Sequence, residues 1–236
     1  VERSLNACGH RPIEHLATVD ALGPAALLAH ATLVTPQEIR MLADTGAAVA
    51  YNPVASAWKG NAVAPAETMA TFGVRLGLGT DGTRSDGFRL LDYAEAAQRF
   101  TFGIGVGDSS CGAGWRWLDM ATHDAADVAG LGAVTGEIAT GKRADFLLVD
   151  LDVPELTPSW DLTWELVRLA SRDQIRAVFV DGRLRMWNGW PVDWDARALM
   201  RDIRAMAADT IAGAPIRKLH EPADAHRARH AGTEAA

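Results

Sequence analysis

Three times in succession, a short apolar run ends in a polar residue and gives way to an amphipathic stretch, and this alternation restricts the fold more than any other feature of the chain. Ala25-Ala26-Leu27-Leu28-Ala29 ends in His30, Ala47 to Tyr51 ends in Asn52-Pro53, and Val74 to Leu78 leads to Asp81. Between the first two runs, Thr35-Pro36-Gln37-Glu38 predicts a helix: Thr35 caps it, Pro36 suits its first position and Glu38 completes a capping box. Gly46 ends that helix. A loop and a helix from Pro65 to Gly73 follow the second run, and a helix from Phe88 to Phe102 follows the third. Strands at 26–30, 47–51 and 74–79 joined by helices predict parallel pairing through right-handed crossovers, with His30, Asn52 and Asp81 at one rim. In α/β barrels that rim carries the chemistry.

The rest of the chain changes character. A glycine-rich loop over 103–114 precedes a predicted helix from Trp115 towards Gly130. From Val134 onwards strands and turns dominate: a hairpin-like segment at 136–142, strands at 144–150 and 174–180, and Asp181-Gly182 turning into Leu184–Trp187. A helix is expected over 161–170 and another over 195–212, with a frayed polar tail behind it. Thirty acids against 23 bases give a net charge of −7, which excludes a nucleic-acid partner on electrostatic grounds. The most apolar stretch, Ala21 to Val34, is interrupted by Pro24 and His30, so no membrane partner is expected. Cys8 and Cys111 are far apart, with no C-x-x-C, and a reducing cytoplasm fits them best.

Two chemistries compete for the third strand end. Gly77-Leu-Gly-Thr-Asp-Gly82 matches the dinucleotide pattern G-x-G-x-x-G, but Asp81 would place a negative charge against a pyrophosphate. Alternatively Asp81 is the functional group, a carboxylate that with His30 could serve a divalent metal and its water. On residues alone, a core histidine and a turn aspartate account for the pair better than a metal site does. The H-x-E and P-C-x-x-C signature of zinc cytidine deaminases is absent.

The ordered set Leu28-Ala-His30, Thr35-Pro-Gln-Glu38, Asn52-Pro53 and Gly77-Leu-Gly-Thr-Asp-Gly82 resembles the amidohydrolase superfamily, in its cytosine, guanine and S-adenosylhomocysteine deaminase and triazine hydrolase branch. Gly136-Glu-Ile-Ala-Thr-Gly-Lys-Arg-Ala-Asp145 and Val178-Phe-Val-Asp-Gly-Arg183 are similar to that superfamily's closing segments. The resemblance implies an α/β chain forming the C-terminal part of a (β/α)₈ TIM-type barrel, about three units of it, with a small β-sandwich portion and a C-terminal helix. Residues 1–133 would be partial barrel, 134–190 the composite sandwich portion, and 191–236 the helix and polar tail.

By the same resemblance His30 is the histidine that polarises the substrate, and Asp81 both binds the metal, zinc or alternatively iron, and takes a proton from the attacking water. The implied activity is hydrolytic deamination of a heterocyclic, nucleobase-like substrate, possible within a homo-oligomer. Asn52, Ser56, Trp58, Lys59 and Arg84 are the expected substrate contacts. Trp115 and Trp117 are expected to anchor the glycine-rich loop, and Trp160, Trp164, Trp187, Trp190 and Trp194 to fill the small domain's core or a subunit contact. The family's H-x-H pair and its further histidine ligand have no counterpart in this sequence, so the chain is expected to be the C-terminal portion of a longer hydrolase, inactive alone. The rival reading is a non-catalytic barrel homologue serving subunit association.

Overall fold

The computed structural model describes residues 1–82, 85–107, 110–215 and 221–231. The chain divides into two compact units, Val1–Val192 and Asp193–Ala236. The first opens with two short helices, α1 (Glu2–Cys8) and α2 (Pro12–Thr18). Strand β1 (Leu27–Ala29), helix α3 (Pro36–Thr45) and strand β2 (Ala48–Tyr51) follow, then α4 (Pro53–Trp58), α5 (Ala66–Thr71) and β3 (Arg75–Leu78). The three strands form one parallel sheet in the order β1-β2-β3, with Leu27 opposite Ala48 and Ala48 opposite Arg75.

Local sequence accounts for α3. Thr35 Oγ1 accepts from the Glu38 amide at 3.2 Å, while Glu38 Oε2 accepts from the Thr35 amide at 2.8 Å, so two orphan donors are satisfied at once. Gly46 closes the helix at φ +70°, a left-handed conformation that costs glycine little. Glu38 is itself buried, and Arg11 Nε meets its carboxylate at 2.9 Å.

Helix α6 (Gly87–Gln98) runs into a π-helical turn at Arg99–Gly103 and the short α7 (Ile104–Val106). The helix predicted from Trp115 to Gly130 is two helices, α8 (Ala113–Ala121) and α9 (His123–Val128). The break falls at Thr122, whose backbone leaves the helical region and whose hydroxyl donates to the Leu118 carbonyl at 2.7 Å. Gly136 packs against this break: a Cβ there would lie 3.2 Å from the Thr122 carbonyl oxygen. The segment 136–142, expected to be hairpin-like, consists of turns and bends, with Lys142 paired to Glu137.

Strand β4 (Phe146–Val149), helix α10 (Leu162–Arg168), and strands β5 (Ile175–Val180), β6 (Arg183–Trp187) and β7 (Trp190–Pro191) complete the unit. The four strands form an antiparallel sheet in chain order, so β4 and β7 are its edges.

The core lies between the parallel sheet and its helices. Leu42, Val49, Tyr51, Met69, Trp117 and Val167 are buried there, and the Tyr51 and Trp117 rings approach to 6.4 Å between centroids. Gln98 is buried with them; its amide donates to the Tyr51 hydroxyl at 2.8 Å and to the Ala64 carbonyl at 2.9 Å. Glu95 on α6 pairs with Arg99 and with Arg168 of α10, tying the two helices. Trp115 and Trp117 do not share a role. Two residues apart on α8, they point to opposite faces, so Trp117 is buried and Trp115 exposed. The core expected from the other tryptophans is also corrected, since Trp160 is 88% exposed and Trp164, Trp187, Trp190 and Trp194 remain half in solvent. The antiparallel sheet is too small to enclose such rings.

The second unit consists of α11 (Ala196–Gly213) and α12 (Ala223–Ala231). Asp195 caps α11 by accepting from the Ala198 amide at 2.9 Å. The tail expected to be frayed is helical over α12. No helix among the described residues is long and apolar enough to cross a membrane.

Candidate active site

The ends of the parallel strands bring His30, Asn52 and Asp81 to one rim. The sheet ladder continues past the strands, because the His30 amide donates to the Ala50 carbonyl at 3.0 Å and the Gly79 amide to the Tyr51 carbonyl at 2.8 Å. Asn52 is buried between them, and its Oδ1 accepts from the His30 amide at 3.3 Å. Both chemical groups sit on left-handed backbone, His30 at φ +70° and Asp81 at φ +52°. Non-glycine residues pay for that conformation, and such positions concentrate at functional sites.

The glycines of the strand-end motif serve packing. A Cβ at Gly77 would lie 2.5 Å from Val128 Cγ2 and 3.0 Å from Ala125 Cα, so the glycine lets α9 approach β3. A Cβ at Gly79 would collide with Asn52 Nδ2. Gly82 has open space around it. The first two glycines are therefore explained without a nucleotide, and the next helix among the described residues, α6, begins at Gly87 rather than within the motif as at a dinucleotide site.

Asp81 is the electrostatic centre of the rim. Lys59 Nζ lies 2.7 Å from its Oδ2, and His30 Nε2 faces the same oxygen at 3.4 Å. The Gly82 amide donates to Oδ1 at 2.6 Å. The Lys59 ammonium, then the Gly82 amide, hold this carboxyl below the usual carboxylate range. On its other side the His30 ring meets Ser56, whose Oγ is 3.0 Å from Nδ1. Ser56 is 1% exposed. It lies one turn after Asn52 on α4, a helix where only a loop was expected. The Pro53 ring suits that helix's first position and was the signal that could have revealed it.

The remaining expected contacts separate. Trp58, at the end of α4, is 61% exposed. Lys59 pairs with Asp81. Arg84 lies outside the described residues. An apolar groove of about 1020 Å³ elsewhere, lined by residues such as Phe88, Leu91, Leu118, Leu147, Val178 and Phe179, contains no rim residue. No group of three His, Cys, Asp or Glu side chains among the described residues could hold a metal ion. His226 on α12 has its Nδ1 3.2 Å from Glu221.

The 5-methylthioadenosine/S-adenosylhomocysteine deaminase of Nitratidesulfovibrio vulgaris is 31% identical over 206 residues, 86% of this chain and 47% of the relative. A zinc-bound adenosine deaminase from Xanthomonas campestris superposes with a TM-score of 0.84 at 27% identity, over 91% of this chain and 48% of that one. The zinc complex of atrazine chlorohydrolase from Arthrobacter aurescens, at 24% identity and a TM-score of 0.77 over 86% of this chain and 45% of its own, is alike in fold. The chain thus spans about half the length of the curated relatives it matches. The description of the amidohydrolase family fits residues 1–185, taking in the parallel sheet, the His30–Asp81 rim and most of the antiparallel sheet, and the chain belongs to that family.

Proposed function

We propose that this chain supplies the C-terminal rim of a hydrolytic deaminase that replaces the exocyclic amine of an adenine-type ring with oxygen. One observation carries the reading: a histidine and an ionised aspartate, from the ends of two different parallel strands, face each other across 3.4 Å. The three strand–helix units are taken as part of a (β/α)₈ barrel within 1–133, the sheet in 134–190 as its share of a β-sandwich, and 191–236 as a C-terminal helix and tail. The preference for an adenosine-type substrate over a triazine follows the named deaminases, which share more sequence with this chain than the triazine enzyme does.

Hydrolysis of such a ring needs a base for the attacking water and a donor for the charge that develops as the oxygen adds. Asp81 suits the base, since it is ionised at neutral pH and its two oxygens are held in place by Lys59 and Gly82. The proton it takes from water is the one the departing amine requires to leave as ammonia. His30 suits the donor, and Asn52 fixes it by holding its backbone amide. Trp58, Lys59 and Arg84 are the proposed substrate contacts.

Zinc is present in the two named solved structures, and Asp81 would be this chain's share of such a site. The described residues do not fit a divalent ion by themselves: the rim offers one carboxylate and one imidazole, and an ammonium already sits on the carboxylate.

The test is ammonia release from adenosine and 5-methylthioadenosine by the protein that carries this chain. Asp81→Asn should abolish turnover, because an amide cannot accept the proton, and His30→Asn should lower it by roughly 10²- to 10⁴-fold. Normal turnover by the Asp81→Asn variant would overturn the proposal, and no turnover by the unsubstituted protein would favour the non-catalytic homologue.

A further inference from the structure

Ser56, His30 and Asp81 together make the residue set of a nucleophilic triad, but the order of exposure is wrong for one. Ser56 is the buried end, and Asp81 is the end that meets solvent. A serine that a substrate cannot reach does not attack it, so the Ser56 contact requires another explanation.

The hydrogen-bond arithmetic supplies it. A neutral imidazole has one donor nitrogen and one acceptor nitrogen. Nε2 faces Asp81 Oδ2, an oxygen of an ionised carboxylate that can only accept; a lone pair on Nε2 would be repelled by it. The proton therefore belongs on Nε2, which leaves Nδ1 bare. A hydroxyl is among the few side-chain groups that can donate to a bare Nδ1, and Ser56 Oγ stands 3.0 Å away in a position closed to water. We infer that Ser56 is a positioning residue for His30: its hydroxyl donates to Nδ1 and holds the ring in the Nε2–H tautomer that points at the rim.

This assignment differs from the substrate contact that the motif suggested for Ser56. It also defines what His30 does. A ring held with hydrogen on Nε2 can donate to a substrate or to the attacking oxygen, and cannot remove a proton from either. The inference rests on the proposed reading of the rim for its purpose, but not for its measurement, since the tautomer can be read without turnover.

The experiment is a long-range ¹H–¹⁵N correlation spectrum of the ¹⁵N-histidine-labelled protein that carries this chain, at a pH about two units above the ordinary histidine value of ~6.5. His30 is assigned by the signal lost in His30→Gln. The expected spectrum shows protonated Nε2 and bare Nδ1. Ser56→Ala should shift the tautomer ratio towards Nδ1–H by about fivefold, the effect of one ordinary hydrogen bond, and Ser56→Thr should restore it. A His30 ring protonated on Nδ1 in the unsubstituted chain would overturn the inference whether or not the variants fold. So would an unchanged ratio in a folded Ser56→Ala chain. A correct tautomer in a protein that releases no ammonia would sink the deaminase reading and leave this one standing.

Discussion

The two sheets of the first unit solve the same problem in opposite ways. The parallel sheet is covered at its centre, while its edge strand β1 keeps Leu27 exposed: β2 is almost wholly buried, and Tyr51, Val49 and Leu76 join the main core. A parallel sheet needs cover on both faces, because its crossover helices lie there. The antiparallel sheet leaves Leu147, Leu148, Val180, Leu184 and Trp187 substantially exposed, and its helix-facing side borders an open apolar groove. The contrast teaches where precision is held. Strand β2, paired on both edges and buried, sets the spacing of the strand ends that carry His30 and Asp81, whereas a half-covered sheet holds its groups less closely.

If that contrast is real, truncating a large ring should have very different effects in the two regions. Trp117→Ala, at a fully buried position against Tyr51, should cost about 3–5 kcal/mol of stability. Trp187→Ala, on β6 and half in solvent, should cost no more than about 1 kcal/mol. Urea denaturation of both variants measures the difference, and equal losses would break the comparison.

A smaller effect sharpens the account of the rim itself. Gly79→Ala should cost about 1–3 kcal/mol, because the new methyl meets the Asn52 amide that holds His30. Gly82→Ala, with open space around it, should stay within about 0.5 kcal/mol. Thermal unfolding of the pair measures the difference, and equal losses would show that Gly79 is not confined by its contact with Asn52.

The smallest effect concerns pH. Asp81 is lowered chiefly by the Lys59 ammonium, whereas Asp145, beside the antiparallel sheet, is lowered chiefly by the Thr135 hydroxyl and then the Asp181 amide. Because Asp81 titrates lower in the folded chain than its unfolded value of about 3.9, the contact stabilises the fold above that pH and is lost as pH falls through the folded value. Lys59→Met should raise the Asp81 midpoint towards the ordinary range and leave Asp145 in place. Carboxyl ¹³C titration reads both groups in one sample, and a fixed Asp81 midpoint would show that Lys59 is not its counter-ion.

Much of the scaffold is legible in the sequence, because its signals are local. The Thr35-Pro-Gln-Glu box, the left-handed Gly46 and the Asp181-Gly182 turn each act through neighbours a few residues away. The break at Thr122 is not legible there, because it follows the approach of Gly136 rather than any helix-stopping residue nearby. The tryptophans mislead for a similar reason. Their type predicts burial, but only the packing of α8 decides that Trp117 is inside and Trp115 outside.

The candidate site divides along the same line. By itself the sequence determined the family, the parallel strand ends and the presence of His30, Asn52 and Asp81 at them, since apolar periodicity and turn residues encode where strands stop. Only the tertiary structure decided that Ser56 faces His30 across 26 positions and that Lys59 reaches Asp81 across 22. Those contacts depend on α4 turning back over the rim, and side chains from different strand ends meet only once the sheet has set their distance and direction. Hydrogen bonds work over about 3 Å, a scale on which spacing along the chain carries no information.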